Sequence, residues 1–411
     1  MERLYLDNFR GFSDQFIEIR DVNFLVGENS SGKSSVLLIL NILNNPGFWF
    51  NLEFQTSDFQ IYSFEDIVSV DSQDKSSFRI GIFNDSEGTS FLFEFKNLNG
   101  KPVIFSGVIE KEGNIFIFYC ENDHVTYKII KEKKISLEML LPISVTEKNS
   151  LEKLSLQMKA GFIPPIILLQ MCDSIIHNKK NGFQGKLPIW GITPIAPIRS
   201  KPRKTYDEHG TTESPEGDHI PYEIRRLHKS KNDLLKSINN FGIQSGMYKK
   251  INIKEYGTDD DIPFRMNFVL NKNPINIINI GYGVSQVLPI LYNMYTQNNT
   301  IITIQQPEVH LHPKAQAALG DVFFDLSSNK KKKKLIIETH SDYIIDRFRQ
   351  RQKKSEEKYS VQTLFFLREK GINRVFPIII DDNGNYDTTN QPDEFREFFI
   401  KEELENLGLQ S

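Results

Sequence analysis

At 411 residues, with 39% hydrophobic and 25% charged side chains, the chain is long enough to bury a large core as one elaborated domain or two. Fifty basic against fifty-three acidic residues leave a net charge of -3, which excludes a chain-wide electrostatic trap for nucleic acid and confines any DNA contact to a local patch. The two cysteines lack CxxC spacing and no apolar run nears the roughly 18 residues of a membrane span, so the chain reads as cytoplasmic, with no disulfide framework and no membrane partner.

The first elements read as strand, turn, strand: Leu4, Leu6 and Phe9 lead to an Arg10-Gly11-Phe12 turn, and Phe16, Ile17 and Ile19 alternate toward Asp21. An apolar strand, Val22 to Val26, follows. After Gly27 the period changes, with Val36, Leu37, Leu40 and Leu43 at helical spacing before an Asn44-Asn45-Pro46-Gly47 stop. From about residue 77 to 130, Phe78 to Phe83, Phe91 to Phe95, Val103 to Ile109, Ile115 to Tyr119 and Val125 to Ile130 alternate with Gly-bearing turns, predicting an antiparallel meander. Leu151 to Ile176 carries helical spacing broken at Pro164-Pro165, and Glu223 to Phe241 places Ile224, Leu227, Leu234, Leu235 and Ile238 on one helical face. Between them runs a connector with Pro188, Pro194, Pro197, Pro202, Pro215 and Pro221, punctuation that excludes a long coiled-coil arm.

The last third alternates strand and helix: a strand end at Ile277 to Ile280, a helix over Val284 to Tyr295, a strand over Ile301 to Ile304, a helix over Pro313 to Leu326, a strand over Leu335 to Glu338 and a helix over Asp342 to Arg351. That order predicts a mostly parallel sheet. Strand candidates Gln362 to Leu367 and Arg374 to Ile380 precede a helix-like Asp393 to Leu407.

Gly27-Glu28-Asn29-Ser30-Ser31-Gly32-Lys33-Ser34 satisfies the P-loop pattern between a strand and a helix, where the chemistry requires it, and Ser35 continues the helix. Backbone N–H groups of such a loop point at phosphate oxygens, Lys33 brings a cation to the β- and γ-phosphates, and Ser34 brings an oxygen to Mg²⁺. ATP and Mg²⁺ are the expected cofactors.

Leu6-Asp7-Asn8-Phe9-Arg10-Gly11-Phe12, the signature-like Gly281-Tyr282-Gly283-Val284-Ser285-Gln286 and Pro307-Glu308-Val309-His310-Leu311-His312-Pro313 resemble, in that order, the ABC-type ATPase heads of the RecF/SMC/OLD group. Pro197-Ile198-Arg199 with Pro202, Tyr206 and Gly217 is similar to the stand-alone ATPases of bacterial anti-phage loci. The resemblance implies an α/β P-loop head with a mostly parallel sheet, an antiparallel β lobe and a helical insertion. On this reading residues 1–50 and 270–390 form the ATP-binding core, 51–135 the lobe, 136–269 the insertion and 391–411 a C-terminal helix. It also implies a head-to-head dimer in which Ser285 meets the γ-phosphate bound by the opposite subunit, a γ-phosphate-sensing His340, a nucleotide contact from Arg10, and a separate effector, plausibly a nuclease.

The pattern breaks at one place. Such heads end the strand before Pro-Glu in two acidic residues or in Glu-Gln, the first holding Mg²⁺ and the second positioning the attacking water, whereas this chain has Gln305-Gln306-Pro307-Glu308. Three readings stay open: a slow or silent ATPase that uses ATP as a clamp, a substitute carboxylate from Glu308, or an engineered glutamine at 305. Weaker features are the alternating His310 and His312, the run Lys330 to Lys334, and the cluster Arg199, Lys201, Arg203 and Lys204, the last two offering DNA or partner contacts if they are not simply solvated.

Overall fold

The computed structural model describes residues 2–55, 63–84, 89–121, 124–131, 152–155, 163–177, 191–207, 213–230, 232–257, 262–298, 300–327, 333–387, 389 and 392–395. The chain gathers into two compact units, one of residues 1–20, 28–190 and 366–377, the other of 21–27, 191–365 and 378–411.

The first unit begins with β1 (Glu2–Asp7) and β2 (Gln15–Ile19), whose hairpin closes through reciprocal backbone bonds between Phe9 and Phe12. Arg10 and Gly11 both take positive φ, 45° and 91°, the twist that a two-residue hairpin between right-twisted strands requires. β3 (Val22–Gly27) leaves for the second unit. β1 then pairs with β4 (Ser77–Asn84), setting Leu4 opposite Ile82 and Leu6 opposite Ile80, so the opening hairpin belongs to the meander rather than to the parallel sheet. The sheet continues through β5 (Ser90–Leu98), β6 (Lys101–Lys111), β7 (Asn114–Glu121), β8 (His124–Ile130) and β9 (Glu152–Ser155), all antiparallel, in the order β2-β1-β4-β5-β6-β7-β8-β9.

Helices α1 (Lys33–Asn44) and α2 (Pro46–Asn51) join at Asn45, whose side chain accepts from Gly47 N while Pro46 starts α2 without needing a donor. The expected helical stretch from 151 divides: Glu152–Ser155 adds a strand beside β8, and among the described residues the helix is α3 (Pro165–His177), which starts at the second proline of the pair. Proline lacks the amide a continuous helix would need there. The core of this unit is aromatic. Phe95 stacks on Phe78 at 4.8 Å and meets Phe54 edge-on at 5.5 Å, and all three side chains are buried. Phe95→Ala is expected to cost about 3–5 kcal/mol of stability, read as a lower denaturant midpoint, since cavity and lost ring contacts add.

A six-stranded sheet has the order β10-β14-β15-β3-β16-β17, with β10 (Ile192–Ile195), β14 (Ile301–Gln305) and β15 (Lys334–Glu338) in the second unit with β3, followed by β16 (Val361–Glu369) and β17 (Ile372–Ile380). β10 with β14, β14 with β15 and β15 with β3 are parallel. β10 lies inside the proline-rich connector, and its place at the edge is why Pro194 is tolerated. The helical face expected over 223–241 is two helices, α4 (Ile220–Lys229) and α5 (Asp233–Ser245), parted where the Asn232 side chain caps the second through Leu234 N. A three-stranded sheet follows, β11 (Lys250–Glu255), β12 (Phe264–Val269) and β13 (Pro274–Asn276), and the strand end expected at 277–280 is a 3₁₀ turn over Ile277–Asn279 capped by Asn276.

The remaining helices are α6 (Tyr282–Thr296), α7 (Pro313–Leu326) and α8 (Asp342–Lys354). Of the expected C-terminal helix, residues 393–395 are helical and the rest lies outside the described residues. No described helix is long and apolar enough to cross a membrane.

Candidate functional site

β3 is buried at every residue and ends at Gly27, and the P-loop is the next stretch of chain. Glu28, Asn29 and Ser30 are exposed, Ser31 is buried, and Gly32 closes the loop at φ 104° with no side chain capping α1. Glu28 O accepts from Lys33 Nζ at 2.6 Å and from Ser31 Oγ at 2.7 Å, so the lysine folds over its own loop. Ser34 and Ser35 occupy the first turn of α1, part-buried, where the helix dipole favours an anion.

Gly32 has a second reason to be glycine: a Cβ there would lie 2.6 Å from Phe12 Cζ and 2.8 Å from Asn373 Nδ2. Asn373, 1% exposed, donates through Nδ2 to Arg10 O and through N to Gly11 O, tying the opening hairpin to the loop's last residue. Arg10 is half-buried, and burial lowers its guanidinium pKa against the opposing pull of Asp66. Arg368 spans from Ser30 O to a 2.9 Å pair with Asp71.

In the second unit the carboxyl ends of three parallel strands align, Gln305 opposite Glu338 and Glu338 opposite Leu25. Such edges are where open α/β sheets take ligands. Gln305 is 7% exposed and ends β14; Gln306 turns the chain at φ 44° and donates its N–H to Glu338 O. Both oxygens of Glu308 are engaged: Oε2 accepts from Thr339 Oγ1 and Oε1 from His340 N, each at 2.8 Å. His340 itself is exposed.

Arg199 was expected on a basic surface cluster and is instead 2% exposed. Its Nη2 donates to Gln305 O at 2.7 Å, while Nε and Nη1 have no hydrogen-bond partner among the described residues. Burial pushes its pKa down to about 10, and Glu308 pulls it back up. Lys201, Arg203 and Lys204 of that cluster are exposed. Lys333 is likewise no solvated charge: it is 2% exposed and its ammonium donates to Met294 O in the last turn of α6, complementing that helix's negative end. Lys334 opens β15, and Lys330 to Lys332 lie outside the described residues.

Ser285 sits in the first turn of α6, 8% exposed, and donates to Tyr282 O at 2.7 Å. Gly283 is explained within the chain, since a Cβ would come 2.5 Å from His310 O. No group of three or more His, Cys, Asp or Glu side chains that could hold a metal occurs among the described residues, His310 and His312 included. Sequence reasoning missed Thr339, Asn373, Arg368 and the buried place of Arg199. The structure places a short strand, β10, ending four residues before Arg199.

A parallel-rich sheet whose strand β3 runs straight into a phosphate loop, with glutamines at the end of β14 and an exposed histidine after β15, defines a P-loop ATPase head. The model of the family described as AAA ATPase domain (AAA_15) matches residues 1–345, and the chain belongs to that family. Nucleotide binding is what an ATPase domain implies, and Mg²⁺ is typical of it. No curated protein matches the chain. Among solved structures, an SMC head bound to the C-terminal winged-helix domain of ScpA is similar at 12% identity and TM-score 0.42, over 92% of this chain and 97% of that one. The SMC head domain from Thermotoga maritima is similar at 12% identity and TM-score 0.37, over 91% and 97%. An SMC head from Pyrococcus furiosus with an extended coiled coil, bound to the C-terminal domain of ScpA, is similar at 9% identity and TM-score 0.38, over 92% and 97%.

Proposed function

We propose that this chain binds Mg-ATP in a nucleotide-sandwiched homodimer whose closure controls a separate effector, plausibly a nuclease, in bacterial anti-phage defence, and that Gln305 and Gln306 slow its hydrolysis. The observation that carries the nucleotide part is the P-loop that follows β3 directly in the chain, with Lys33 held over the loop by Glu28 O. The backbone of Ser31 to Ser35 and the Lys33 ammonium hold the phosphates. Ser34 and the Gln305 amide oxygen are the hard oxygens that would hold Mg²⁺, which supplies charge neutralisation on the phosphates when bound. His340 reads the terminal phosphate and Arg10 adds a cation. Ser285, at the start of α6, offers a helix N-terminus to nucleotide on the opposite subunit. The effector and the defence role rest on the likeness of Pro197-Ile198-Arg199, Pro202, Tyr206 and Gly217 to stand-alone defence ATPases.

A second reading, a scaffold that binds ATP without turning it over, is favoured by the two amides where such heads carry acid. Light scattering with Mg-ATP tests the dimer: the mass is expected to double with nucleotide and to stay monomeric for Lys33→Ala, whose loss of a charge-assisted phosphate contact weakens ATP binding about 10²-fold. A mass that ignores ATP while ATP still binds would overturn the sandwiched dimer.

A further inference from the structure

Glu308 lies next to the nucleotide machinery, yet its carboxylate is committed elsewhere. The two oxygens take the Thr339 hydroxyl and the His340 amide, each at 2.8 Å. From there the bonds run in a ring. Ser341 N donates to Thr339 Oγ1 at 3.1 Å, Ser341 Oγ to Gln316 Oε1 at 2.6 Å, Gln316 Nε2 to Leu311 O at 2.8 Å, and Leu311 N returns to Glu308 O at 2.9 Å. The ring fixes both ends of the turn that carries His340: Thr339 N is bonded to Leu25 O at the end of β3, and Ser341 Oγ caps α8 through Ile344 N. Thr339 is fully buried. The buried Arg199 guanidinium, whose Nη2 donates to Gln305 O, is close enough to feel the Glu308 charge, which raises its pKa against the effect of burial.

A carboxylate with both oxygens taken by neutral donors on one turn is built to hold that turn. Each oxygen keeps a second lone pair, so the bonds to Thr339 and His340 do not themselves bar another role, but they fix the carboxylate to the turn whatever else it meets. We propose that Glu308 is a positioning residue that, through Thr339, sets the His340 turn and thereby the site's preference for a nucleoside triphosphate over a diphosphate. The inference rests on the reading that the chain binds ATP and that His340 meets the terminal phosphate. The P-loop grips the phosphates shared by both nucleotides, so the two contributions separate by ligand.

The test is the dissociation constant of ADP and of ATPγS, each with and without Mg²⁺, for the unaltered chain and for Glu308→Gln, Thr339→Val and Thr339→Ser. Thermal unfolding of each variant guards against loss of fold. Glu308→Gln keeps one acceptor and loses the other, Thr339→Val removes the hydroxyl at constant shape, and Thr339→Ser restores it. The first two are expected to weaken ATPγS about tenfold, one hydrogen bond's worth, with ADP unchanged within about twofold and Thr339→Ser near the unaltered chain. Equal weakening of both nucleotides would make the ring purely structural and overturn the inference. So would no weakening of either. An ATPγS defect that vanishes without Mg²⁺ would make Glu308 a metal ligand instead. An unaltered chain that binds neither nucleotide would remove the underlying reading, and a failure of that kind is distinct from the others.

Discussion

Gln305→Glu is expected to raise phosphate release from Mg-ATP on the order of 10²-fold over the unaltered chain, the scale on which a missing charged ligand or base usually tells. The position is 7% exposed, and an anion placed there would ordinarily be costly or stay protonated. Arg199 donates through Nη2 to the backbone oxygen of the same residue, and its Nε and Nη1 have no partner among the described residues, so a buried cation stands at this position to offset the introduced charge. Arg199→Met in the Gln305→Glu background should remove the gain, whereas in the unaltered chain it removes one bond to Gln305 O. A steady-state phosphate assay on the four proteins decides it. Turnover that stays at background in Gln305→Glu while ATP binds normally would hand the lead to the non-hydrolysing scaffold.

The second large effect is expected at Gly32. An alanine there suffers twice, from a φ of 104° that L residues avoid and from a Cβ wedged against Phe12 and Asn373, both buried. Gly100, at φ 82° with nothing within 4 Å of its would-be Cβ, isolates the first of these costs. Gly100→Ala should cost about 1 kcal/mol and leave nucleotide binding alone. Gly32→Ala should cost about 2–4 kcal/mol and abolish binding of a fluorescent ATP analogue, because the loop can relieve the clash only by moving. Similar melting temperatures for the two variants would show that the packing against Phe12 and Asn373 carries no weight.

What could be read from the sequence was what is local in it. The P-loop needs its residues contiguous, so its strand, loop and helix stand in the sequence in working order. The departure at Gln305 and Gln306 was visible for the same reason, and the α/β alternation from residue 282 onward survives nearly residue for residue. What could not be read depends on partners far along the chain. Asn373 acts through Arg10 and Gly11, more than 360 residues away, and nothing in its own neighbourhood marks it. Arg199 shares its stretch with exposed Lys201, Arg203 and Lys204, so composition suggested a surface patch, while the short edge strand before it and its bond to Gln305 O take it into the interior. Thr339 was in plain view beside His340, but a threonine's use is set by what its hydroxyl meets. The pairing of the opening hairpin with β4 could not be read, because alternation identifies a strand without naming the strand it pairs with.

The chain passes between its two compact units at five points, after residues 20, 27, 190, 365 and 377. No single cut therefore yields either unit as an unbroken polypeptide, and a stop anywhere between residues 190 and 377 deprives both of material. During synthesis the P-loop strand β3 leaves the ribosome hundreds of residues before its parallel neighbour β15, to which it is bonded through Leu335 N and Asp21 O, so the nucleotide-binding sheet is completed late. A contiguous fragment exchanged with another chain across any one of these passages would carry pieces of both units, so neither can be transplanted as a single stretch.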